Sequence, residues 1–221
     1  MKNQLLATLM IVAGSMSCSP GPAPSASVVT PTTGGPTAVS SSENVTALQQ
    51  QFQGKYKVIS SVSSEPVDID LDGTASADLL HEMTELAQQS GTRYFVELTL
   101  HAPSPATPKP NFLFVQWWPE QFIRIGAGKV WDGGELINYN PELVVKYDFQ
   151  GTYRNFTLSS DLRQLAVLPD ATDNPYRWVR PELVTVDGNE RLRVITKRRL
   201  YTRSGVKEVS ITTVYERFSR P

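Results

Sequence analysis

The chain has one cysteine, Cys18, and two histidines, His81 and His101, in 221 residues. A single thiol cannot close an intrachain disulfide, and no second cysteine remains for nucleophilic chemistry. The stretch H-E-M-T-E, from His81 to Glu85, opens like the helix of a zinc protease. It ends on glutamate where the second histidine ligand must stand, so that metal set is incomplete. A nucleophile elbow of the G-x-S-x-G type and a glycine-rich phosphate loop are both missing. No apolar run approaches the ~20 residues that cross a bilayer as a helix. These absences remove the common catalytic constellations and predict a protein that is not an enzyme.

The N-terminal end carries the first positive signal. Lys2, a mostly apolar run from Leu5 to Ala13 and small residues up to Cys18 predict a secretory signal peptide over residues 1–17. Gly14-Ser15-Met16-Ser17-Cys18 resembles a bacterial lipobox, with Ser15 where leucine is usual. That resemblance implies acylation of Cys18 and a membrane anchor, each buried methylene contributing ~0.8 kcal/mol. Ser19, in place of an aspartate, implies sorting to an outer membrane. Residues 18–43 are dominated by proline, serine, threonine and glycine and read as a tether. Residues 44–221 remain for one domain with a core of its own. The predicted location is outside the cytoplasm, lipid-anchored in a bacterial cell envelope.

Within that domain the apolar residues recur mostly with a period of two. Tyr94, Val96, Leu98 and Leu100 alternate with Phe95, Glu97, Thr99 and His101, and Leu143, Val145, Tyr147 and Phe149 recur at the same period. Helical spacing occurs once, in Leu79, Leu80, Met83, Leu86 and Ala87, and predicts one short helix over about 76–89 with Ser76 as its cap. Eight to ten short strands with hairpin-like links, and no helices between them, predict a mainly β fold, an antiparallel barrel.

Residues 68–78 read D-I-D-L-D-G-T-A-S-A-D. A twelve-residue calcium loop takes oxygens at positions 1, 3 and 5, glycine at 6 and a bidentate acid at 12. Asp68, Asp70, Asp72 and Gly73 fit, but position 12 is Leu79, and the nearest acid, Asp78, stands one place early. Two readings stand: a capped turn leading into the helix, or a calcium site formed by Asp68, Asp70, Asp72 and Asp78.

Several stretches together resemble bacterial lipocalin-like lipoproteins. They are GKYKVISS, VDIDLDGTASADLLHEM, WWPEQ and LYTRSGVKEVSITTVYERF, which span most of residues 52–219. The resemblance implies a small lipocalin-like barrel on a lipid anchor and carries no assigned activity. The sequence departs from many such proteins in having no cysteine inside the domain.

Trp117, Trp118, Phe122 and Trp131 fall within fifteen residues and are candidates to line a small apolar ligand's cavity. Trp117 and Trp118 are neighbours, so a regular strand points them to opposite faces. From Tyr176 onward the chain holds 11 Lys/Arg against 5 Asp/Glu, spread along predicted strands. That excess suits a solvated face or a patch for anionic glycans or headgroups. Nucleic acid is not expected as a partner of an exported lipoprotein. Two functions follow: a non-catalytic envelope lipoprotein whose barrel binds a small apolar ligand, or a module docking to an envelope protein or glycan.

Overall fold

The computed structural model describes residues 46, 49–90, 93–94, 97–101, 112–171, 173–187 and 191–220. Cys18, the predicted signal peptide and the predicted tether lie outside the described residues. The strands are β1 (Gly54–Val67), β2 (Ser76–Asp78), β3 (Gln89–Ser90), β4 (Arg93–Tyr94), β5 (Glu97–His101) and β6 (Leu113–Gly126). They continue with β7 (Lys129–Val130), β8 (Val145–Leu158), β9 (Gln164–Val167), β10 (Leu183–Val186), β11 (Arg191–Thr202) and β12 (Gly205–Ser219).

Eight of them form a closed antiparallel barrel in the order β1-β5-β6-β8-β9-β10-β11-β12, with β12 returning to β1. The closing seam runs from Lys55 opposite Ser219 to Ser63 opposite Ile211. Closure gives every strand a partner on both sides, so the barrel leaves no long unpaired edge. Each barrel strand pairs antiparallel with the next barrel strand along the chain, through links that range from the two-residue turn between β11 and β12 to the long segment 68–96 between β1 and β5, which is no simple hairpin.

Alternation decides which side chains turn inward. On β11, Leu192, Val194, Thr196, Arg198 and Leu200 are buried, while Arg193 and Lys197 between them are exposed. On β1 the register slips between Val58 and Ser60. The extra residue, Ile59, moves the buried set from Tyr56 and Val58 to Ser61 and Ser63. The main core takes Tyr56, Phe114, Trp118, Phe156, Ile211 and Tyr215 from four strands, β1, β6, β8 and β12, and is continuous with Leu79, Met83 and Leu86 from the segment after β2. A second, smaller cluster joins Ile123, Trp131 and Tyr201.

The predicted helix over 76–89 is not continuous. Ser76 belongs to β2, opposite Val67. The helix α1 covers Leu79–Glu82 and is capped by Asp78, whose Oδ1 accepts from the Leu80 N–H at 3.0 Å. At Met83 the backbone extends (φ −144°), and Thr84–Ala87 forms a separate 3-10 turn. An isolated helix of this length has little stability of its own, so tertiary packing sets its limits. Leu79, Met83 and Leu86 are fully buried, and seating all three on the barrel outweighs keeping one helical axis.

Candidate functional site

One end of the barrel is covered by long connections: the acidic segment after β1, residues 131–144 before β8, and residues 168–182 between β9 and β10. No helix among the described residues is long and apolar enough to cross a membrane.

The acidic segment is tied down by its own carboxylates. Asp68 Oδ2 accepts from the Gly73 N–H (3.0 Å), Asp70 Oδ1 from Asp72 N–H (3.1 Å) and Asp72 Oδ1 from Thr74 N–H (2.6 Å). Gly73 has φ +99°, a left-handed conformation that glycine adopts without a Cβ penalty. The segment is pinned to the β11–β12 turn, where the Arg203 N–H donates to the Asp68 carbonyl (3.1 Å) and Arg203 Nη1 to the Leu71 carbonyl (3.3 Å).

Of the four predicted metal ligands, the structure brings Asp68 and Asp70 together. Asp72 spends an oxygen on its local turn and Asp78 caps α1. The third member of the cluster is Glu82: one carboxylate oxygen from each of Asp68, Asp70 and Glu82 lies within 4.8 Å of the others. Asp68 and Glu82 are 7% and 5% exposed, whereas Asp70 is open to solvent. Glu82 Oε2 accepts from the Ile69 N–H at 2.8 Å, and Asp68 Oδ1 is buried with no hydrogen-bond partner. Burial pushes the Glu82 carboxyl above its ordinary range; the Ile69 N–H opposes that shift, and the charges of Asp70 and Asp68 add to it. A sequence signal for Glu82 existed: it stands three residues after Leu79, beside Met83, on the face that becomes buried.

The four aromatic candidates do not converge. Trp118 is buried in the main core, and Trp131 in the second cluster, its Nε1 donating to the Glu135 carbonyl at 2.8 Å. Trp117 is half-buried on the other face of β6, directly over Gly151 of its partner strand. Phe122 is also half-buried, opposite Lys146. The expected split of the Trp117–Trp118 pair is what β6 shows.

Charged groups inside the barrel were not anticipated. Arg198 on β11 and Glu120 on β6 form an ion pair of 2.6 Å with side chains 3% and 8% exposed. The guanidinium carbon lies 4.5 Å from the centre of the Trp118 ring, a cation–π contact. Glu120 Oε1 also accepts from the Trp178 N–H (3.0 Å), and Arg154 donates to the Trp178 carbonyl while pairing with Asp173 at 2.7 Å. Trp178 takes a left-handed φ of 51°, so these two buried groups grip an unfavourable backbone and fasten residues 168–182 to the barrel. Arg198 could have been suspected from its even position in the run Leu192, Val194, Thr196, Leu200.

Above this pair opens a cleft of about 420 Å³, lined by Asp173, Arg180, Glu182, Lys197, Arg199 and Glu208 among others. Lys197 and Arg199 both reach Glu208, at 2.9 and 3.2 Å, and Arg199 stacks 4.3 Å over the Tyr176 ring. A second cleft of about 360 Å³, near Gln50, Phe52, Asp161 and Asp187, lies at the opposite end, where β1 begins. None of the four aromatic candidates lines either cleft. Comparison with known proteins finds no match: no family model, no curated protein and no solved structure aligns with this chain.

Proposed function

We propose that this protein is a non-catalytic, lipid-anchored envelope protein whose barrel acts as an interaction module. The contact surface is the charged cleft between residues 173–182 and strands β11 and β12. The observation that supports this reading is the filling of the barrel. Tyr56, Phe114, Trp118 and Tyr215 occupy its interior, and the Arg198–Glu120 pair sits among them. A small apolar ligand, the other function expected from the sequence, would have to displace these side chains and leave two buried charges facing it, which is costly.

The cleft carries both signs of charge on β11 and β12 next to a stitched loop, so it suits a partner that offers charged groups of its own, an envelope protein or an acidic glycan. The resemblance to lipocalin-like lipoproteins and the lipobox-like Cys18 support the anchored location.

The test uses the full chain purified from membranes. Photo-crosslinking from position 180 should trap a partner, and Lys197→Glu with Arg199→Glu should abolish the product. A stoichiometric lipid-like molecule held by the native protein in mass spectrometry would overturn the proposal in favour of the barrel ligand. For the anchor, Cys18→Ser should release the protein from membranes; unchanged sedimentation with membranes would refute acylation.

A further inference from the structure

From the acidic segment and α1 we infer that Asp68, Asp70 and Glu82 form a site for a hard divalent cation, calcium. The inference is independent of the charged cleft and stands whether or not that cleft binds a partner.

Three carboxylate oxygens converge within 4.8 Å. Among the described residues no lysine or arginine forms an ion pair with any of the three. Arg203 reaches the same segment, but its Nη1 goes to the Leu71 carbonyl. An acidic cluster alone proves little, since exposed acids often gather without a metal. Here a second observation points to a ligand. Asp68 is 7% exposed, and its Oδ1 is buried without a partner, although its other oxygen takes the Gly73 N–H. A buried charged oxygen with no donor is costly, because it has given up water for nothing. A cation placed among the three carboxylates would satisfy that oxygen and offset their repulsion at once.

The donors specify the kind of ion. All three are carboxylates, with no histidine or cysteine in the group, which selects calcium or magnesium over zinc or copper. Calcium accepts irregular cages of six to eight oxygens, whereas magnesium demands near-octahedral geometry and holds its water tightly. A loop and a helical turn supplying three carboxylates at unequal depth suit the larger ion, with water completing the shell on the exposed Asp70 side.

The ligand set also explains the irregular spacing. The acid that closes the site is neither Leu79, at the usual twelfth position, nor Asp78. It is Glu82, carried to the loop by α1 and held there by the Ile69 N–H. Bound calcium would therefore clamp the segment after β1 to the helical turn packed on the barrel. The expected consequence is structural: a stiffer, more heat-resistant barrel end.

Titrating calcium chloride into the full-length protein, after chelator treatment, tests this. Calorimetry should show saturable binding with half-saturation near roughly 10⁻⁴–10⁻³ M, the range of extracellular calcium modules. The melting temperature should rise with calcium and return to baseline with chelator. Glu82→Gln and Asp68→Asn should each remove both responses while keeping the barrel's circular dichroism. Asp72→Asn, outside the cluster, should keep them. No heat and no melting shift at millimolar calcium would overturn the site, as would a full response in Glu82→Gln. A response to magnesium with none to calcium would overturn the assignment of the ion. Stabilisation of the wild type by acid alone, with calcium inert, would show that a shared proton holds the cluster.

Discussion

Arg198 and Glu120 meet inside the barrel, Nη1 to Oε1 at 2.6 Å, from positions 78 residues apart. Each is expensive to bury alone, and their mutual attraction is useful only while both are present. Glu120→Gln should therefore destabilise the protein by about 3–5 kcal/mol, since it leaves the Arg198 charge uncompensated. Replacing both, by Glu120→Leu with Arg198→Leu, should cost much less than the sum of the single changes. Urea unfolding of Glu120→Leu, Arg198→Leu and the double variant measures this; additive single-variant costs would show that the pair is not coupled.

Trp117 lies over Gly151, where an added Cβ would come within 2.9 Å of the indole ring. Gly151→Val should push the ring aside and cost about 1–3 kcal/mol, the usual range for overpacking. Tryptophan emission should shift to the red as the ring gains exposure. An unshifted spectrum with unchanged stability would mean that Trp117 rests elsewhere.

Gly54 opens β1 with φ +149°, and a Cβ there would meet the Ser219 carbonyl oxygen at 2.2 Å. Backbone cannot yield as a flexible side chain can. Gly54→Ala should cost at least about 1–3 kcal/mol from strain alone. The loss should fall on the β1–β12 seam, visible as faster amide exchange along β12 than along β6. Equal protection in both strands would place the strain elsewhere.

Hydrogen bonds from Lys197 and then Arg199 hold the Glu208 carboxyl below its ordinary value of 4.5. A folded value below the unfolded one means the group stabilises above pH 4.5, and that contribution is lost as pH falls through the folded value. Glu208→Gln should accordingly flatten the acid side of the stability curve, by a small amount because the pair is open to solvent. High salt should erase the difference between variant and parent. An acid limb that is steeper in Glu208→Gln would contradict the assignment.

Much of the architecture was legible along the chain, because side-chain alternation is a local consequence of strand geometry. The even residues of β11 and the opposed Trp117 and Trp118 follow from a period of two alone. The slip at Ile59 was not legible, since a bulge is defined against a partner strand, and β12 lies some 150 residues away in sequence. The helix illustrates the same divide. Its apolar face was correct in Leu79, Met83 and Leu86, but its length and cap were set by the surface it packs on.

The candidate site divides in the same way. From the sequence came Asp68 and Asp70, the glycine that turns the loop and the charge excess of the last strands, all of them properties of neighbouring residues. Only the tertiary structure set Glu82 beside Asp68 and Asp70, and only closure of the barrel set Arg198 against Glu120. The reason is physical. A lone buried charge is unfavourable in any strand or helix, and what makes it tolerable is a partner that the local pattern cannot name.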